Sequence, residues 1–151
     1  MKKPLSITAL LFGGLLAAGS ALAHDDAYLD TQKAPHSGQL RMAGIYHFEL
    51  GVDRTRPEAT EKPVSVYLTD HAGQKISTSG ATGSVTLLSG KARTTITLSP
   101  GGDNLLTGSG KYASTADLKA IVSITPAGQA AQQARFTPLH SAPEMHSGHA
   151  Q

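Results

Sequence analysis

Apolar and polar residues alternate along the stretch Gly44-Ile45-Tyr46-His47-Phe48-Glu49-Leu50. Successive side chains of an extended backbone point to opposite faces, so this period of two predicts a half-buried strand over residues 44–52. Tyr46, Phe48 and Leu50 fall on the core side, and His47 and Glu49 face away from it. Val64, Val66 and Leu68 repeat the pattern over 64–68. Short strands are expected over 39–43, 74–77 and 104–107, the last ended by Gly108-Ser109-Gly110. Residues 84–88 and 93–98 read as a hairpin around Ser89-Gly90-Lys91, and 120–125 returns through Pro126-Ala127-Gly128 into 131–137.

The segments between are turn chemistry. Asp70-His71-Ala72-Gly73 and Pro100-Gly101-Gly102-Asp103 supply residues that tolerate turn conformations. Pro57, Pro63 and six charged residues mark 53–63 as a loop. A single helical turn is admitted over 114–118 and no long helix anywhere. The pattern predicts an all-β, single-domain antiparallel β-sandwich or barrel, immunoglobulin-like, over residues 38–138. Residues 24–37 show no periodicity and read as a flexible N-terminal arm. Residues 139–151 read as a flexible, histidine-rich tail.

The first 23 residues have another character. Lys2 and Lys3 precede an apolar run, and Ala21-Leu22-Ala23 offers a small-x-small cleavage site. This order predicts a secretory signal peptide cut before His24, and no membrane insertion after cleavage. The chain carries 13 Lys and Arg against 11 Asp and Glu. Loss of Lys2 and Lys3 balances them, so the basic excess belongs to the signal and gives no reason to expect nucleic acid as a partner. Cysteine is absent. That excludes a thiolate nucleophile, an iron–sulfur cluster and a blue-copper centre. No serine elbow, His-Glu-x-x-His motif, Walker loop or dinucleotide fingerprint occurs, so no enzyme is expected.

What remains is imidazole. Seven histidines all follow the signal segment. His140, Met145, His146 and His149 gather in the tail, and imidazole with thioether suits copper in both oxidation states. His24, once exposed by cleavage, offers its α-amine and ring nitrogen to one Cu(II), as in a histidine brace. His47 and Glu49, at i and i+2 on one strand face, with the turn residue His71 close by, form a third candidate. The plain alternatives are a solvated tail, a frayed end and a wet strand face.

Several segments together resemble a known group. Pro35-His36-Ser37-Gly38-Gln39, the 44–50 strand, residues 64–73, Gly80-Ala81-Thr82-Gly83 and Pro100-Gly101-Gly102-Asp103-Asn104 look like small exported β proteins of Gram-negative bacteria. Such proteins accompany heavy-metal (copper) resistance loci. A similar segment opens some adaptor (membrane-fusion) subunits of heavy-metal efflux pumps. The resemblance covers most of residues 35–137. The group commonly has His-Gly-Gly where this chain has His36-Ser37-Gly38. The resemblance implies a periplasmic location and a metal-linked role, and His36, His47, Glu49 and His71 match its pattern.

The residues and the resemblance lead to one expectation. The chain is a periplasmic protein that binds transition-metal ions, copper first with zinc, nickel or cobalt as further fits, and buffers them or hands them to a heavy-metal efflux adaptor or pump. The competing expectation is an interaction module that docks on such an adaptor with its histidines incidental. A third, a copper oxidase built on His24, would show redox turnover lost in His24→Ala.

Overall fold

A computed structural model describes residues 26–140. Of the sandwich and the barrel, the strands build the barrel: eight antiparallel strands in one nearly closed sheet, with order β1-β2-β3-β6-β5-β4-β7-β8. They are β1 (Gln39–Ala43), β2 (Tyr46–Val52), β3 (Thr60–Asp70), β4 (Thr82–Ser89), β5 (Ala92–Pro100), β6 (Leu105–Tyr112), β7 (Lys119–Thr125) and β8 (Gln132–Phe136). The inward row of β2, Tyr46, Phe48 and Leu50, meets Val64, Val66 and Leu68 of β3 and Val85, Leu87, Val122 and Ile124 of the opposite wall in one buried core.

Closure is uneven. β5 and β6 share only the pairs Ser99–Thr107 and Pro100–Leu106. At the other edge β1 and β8 meet through a side chain: Gln39 Oε1 accepts from the Thr137 amide at 2.8 Å. Where β5 turns onto β6 the backbones nearly touch. A Cβ on Gly108 would stand 2.4 Å from Thr97 O, and one on Gly110 would stand 2.6 Å from Ile96. The glycines expected to end a strand after 107 therefore lie inside β6, where close approach leaves no room for side chains.

β3 also starts earlier than the prolines suggest, at Thr60. β2 pairs with β3 only from Val64 onward, so Pro63 has a strand neighbour on one side alone, Ser109 of β6, and its missing N–H costs no ladder bond there. Lys62 then takes an inward position. Its ammonium donates to Arg56 O at 2.7 Å, Glu58 O at 3.2 Å and Ser114 Oγ at 2.7 Å, and sits 4.5 Å from the Tyr112 ring centre. Tyr112 donates to Pro63 O and accepts from the Asp53 amide. Burial pushes its phenol above the ordinary value. Hydrogen bonds from the Thr55 hydroxyl and from Arg56 hold the Asp53 carboxyl well below the usual carboxylate range.

Three smaller expectations change. Gly44 and Ile45 form the β1–β2 turn rather than the start of a strand; Gly44 has φ 61° and Ile45 is 69 % exposed. Residues 74–77 contribute one bridge, Lys75 to Thr69, instead of a strand. Residues 115–118 make a turn closed by Leu118 N to Thr115 O, with no helix.

Asp26–Thr31 forms a short helix, α1, that buries Leu29. Arg41, on the inward row of β1, reaches out to it: Nη1 donates to Asp30 Oδ1 at 2.7 Å, and Nε lies 3.6 Å from Asp26 Oδ1. Two apolar anchors, Leu29 and Ala34, and the ion pairs of one arginine leave no periodic trace in sequence. At the other end, Leu139 packs against the core.

Candidate functional site

The outer face of β1, β2 and β3 is fixed by register. Leu40, Glu49 and Tyr67 form one cross-strand row; Met42, His47 and Thr69 form the next. Directly opposed residues share a face. The polar side of the opening alternation therefore meets the outward side of β3, and the chain before β1 folds over it.

Glu49 is the organising group. Its side chain faces outward, yet it is only 4 % exposed, because residues 35–38 cover it. Oε1 accepts from the His36 amide at 2.8 Å and the Gly38 amide at 2.9 Å. Oε2 lies 3.0 Å from His36 Nδ1. A carboxylate can only accept, so this contact puts the proton on Nδ1 and leaves the lone pair on Nε2. The His36 ring stacks on Tyr67 with centres 3.6 Å apart and planes within 3°. Two contacts at right angles thus fix both the tautomer and the plane of an imidazole whose side chain is 40 % exposed.

The covering loop needs an unusual backbone. Ser37 has φ 60°, the one positive φ among described non-glycine residues. Glycine is the residue that enters this region without cost, so a serine here carries backbone strain. Its amide closes a turn onto Ala34 O at 3.2 Å.

His47 and His71 form a second unit. Their rings stack with centres 4.9 Å apart and planes 20° from parallel. His47 Nε2 is out of solvent, while His71 stands exposed on the turn after β3. His36, His47, Glu49, Leu40, Tyr67 and Thr69 line a common cavity of about 110 Å³. Four of the nine expected ligands, His36, His47, Glu49 and His71, therefore occupy one face. His140 does not join them; it is exposed and borders a cavity of about 150 Å³ with Asp30, Gln32 and Arg54. His24, Met145, His146 and His149 lie outside the described residues.

The donor types suit a transition-metal ion, but among the described residues no three histidine or carboxylate groups already converge on one point. One imidazole has its tautomer and ring plane fixed, and two more stack on each other on the same face. Tyr67 escaped the sequence reading although its place between inward Val66 and Leu68 assigns it outward. Glu49 looked like an exposed ligand, and nothing local to its strand announces the loop that buries it.

Fold and face together define an antiparallel β-barrel protein with a loop-covered histidine surface on β1–β3. No protein-family model, no curated protein and no solved structure matches the chain.

Proposed function

We propose that this chain is a periplasmic, non-enzymatic binder of transition-metal ions, copper first, that buffers the ion or passes it to a heavy-metal efflux system. The observation that carries the reading is the Glu49–His36 pair. A buried carboxylate fixing one ring nitrogen, with the other left as acceptor, is the usual support of a histidine ligand. In this reading Glu49 orients a ligand rather than binding the ion, and His36, His47 and His71 supply nitrogen. Zinc, nickel or cobalt fit the same donors. Export follows from the leader-like first 23 residues, and the efflux partner from the resemblance.

The test uses the mature chain beginning at His24, with Cu(II) added while histidine ring signals are followed by NMR. Broadening of His36, His47 and His71 is expected, with affinity falling at least about tenfold in His36→Ala. Broadening confined to His24 and the tail histidines overturns the role of this face, and no binding at all overturns the metal reading. The docking-module alternative draws on one feature, Ile45 exposed at the tip of the β1–β2 turn. It predicts that Ile45→Ser, and none of the histidine changes, abolishes capture of an efflux adaptor.

A further inference from the structure

The histidine face has a neighbour that imidazole chemistry does not explain. β1 carries its residues in an inverted sense: Arg41 and Ala43 are buried, while Leu40 and Met42 point outward. Leu40 is accounted for, since it helps line the cavity beside His36 and His47. Met42 does not line that cavity and is not part of the core. It stands directly opposite His47 across the β1–β2 ladder, a position that brings Cβ atoms to about 5 Å. On its other side it borders a cavity of about 280 Å³ at the β1–β8 edge, with Arg41 and Gln133. A half-buried Met42 thus stands across the ladder from His47, which stacks on His71, and borders an opening to solvent on its other side.

We propose that Met42, His47 and His71 form a site for a soft monovalent ion, Cu(I) or its redox-inert counterpart Ag(I). This rests on the metal reading above and narrows it to one ion class at one end of the face. A thioether with two imidazoles favours Cu(I) over the harder divalent ions. His36, fixed by a carboxylate in the neighbouring cross-strand row, suits Cu(II) or Zn(II) instead. The face then holds two kinds of ligand group in adjacent cross-strand rows, a hard-leaning one at Glu49 and a soft one at His47. Near-parallel rings cannot both hold an ion in their planes, so one must turn. His71 is exposed and sits on a turn, so it is the ring that moves.

The mature chain retains two methionines, Met42 and Met145. In Met145→Leu background, methionine methyl labelling therefore gives a single resonance, from Met42. One equivalent of Ag(I) is expected to shift that resonance together with the ring signals of His47 and His71. Met42→Leu conserves volume and spares the fold. It is expected to lower Cu(I) affinity, measured against a chromophoric chelator, at least about tenfold while Cu(II) affinity stays unchanged. A Met42 methyl that ignores Ag(I), while Cu(II) still broadens His36, overturns this proposal and leaves the metal reading standing. Equal losses of Cu(I) and Cu(II) in Met42→Leu also overturn it. Ring signals that respond to neither ion sink both readings together.

Discussion

Glu49→Gln keeps the size of the side chain and removes its charge. The amide oxygen can still accept from the His36 and Gly38 amides, now 2.8 and 2.9 Å from Oε1. The amide nitrogen then faces His36 Nδ1 where Oε2 stood at 3.0 Å. An amide nitrogen only donates, so Nδ1 must become the acceptor and the ring proton moves to Nε2. Hydrogen bonds to a charged group contribute about 1.5–3 kcal/mol and neutral ones about 1 kcal/mol. Two amide bonds lose their charge assistance, a loss of about 2 kcal/mol, which relief from burying a carboxylate reduces to about 1–2 kcal/mol. The side chain is 4 % exposed, so solvent screens little of this. Urea unfolding measures the stability loss, and ¹⁵N shifts of the His36 ring report the tautomer. Because the protonated Nε2 no longer offers a lone pair, Cu(II) affinity at this face should fall about 10- to 100-fold. A variant that keeps wild-type stability and the Nδ1–H tautomer refutes the claim that Glu49 sets His36. One that swaps tautomer yet binds Cu(II) unchanged refutes His36 Nε2 as ligand.

Lys62→Met should destabilise the fold by about 2–3 kcal/mol in chemical denaturation, since it strands three oxygens around a buried ammonium; a change below about 0.5 kcal/mol would mean water takes over those acceptors. Ser37→Gly should stabilise by about 1 kcal/mol in the same assay, because φ 60° strains any residue with a Cβ; a loss would show that the serine side chain outweighs its backbone. Tyr112 has a phenol pKa raised by burial, so its contribution is complete below the unfolded value of about 10 and is lost as pH rises through the folded value. Unfolding measured across alkaline pH should show that step in the wild type and not in Tyr112→Phe.

The core was legible because it rests on local alternation. Tyr46, Phe48 and Leu50, the partner row Val64, Val66 and Leu68, and the hairpin at Gly90 all follow from a period of two and turn chemistry, and all are buried or turned as expected. The misreadings share a cause: each residue answers to a neighbour distant in sequence. Gly108 and Gly110 look like strand breakers until Ile96 and Thr97 of β5 press against them. Lys62 and Pro63 look like loop residues until Ser114 and the half-paired edge of β3 accommodate them. Leu29 alone cannot signal a helix, and Arg41, which pairs with Asp26 and Asp30 of that helix, lies on β1. The site was half visible. His47 and Glu49 share a face as alternation requires, but the burial of Glu49 depends on a loop 13 residues upstream.

That loop changes what the face can do. Spacing alone makes His47 and Glu49 equivalent, two polar groups at i and i+2. The chain before β1 breaks the equivalence by covering one and leaving the other beside His71. The same carboxylate that orients His36 also holds the amides of His36 and Gly38, and Arg41 fastens α1 a few residues earlier. The orientation of the His36 ring and the docked arm are therefore one mechanical unit. An ion held by His36 Nε2 would stabilise the covered state of Glu49 by RT ln(1 + [L]/Kd), and by the same linkage a loosened arm would weaken the ion. The proposed carrier would then sense its own loading through the strand-face glutamate, in a segment that leads directly back to His24.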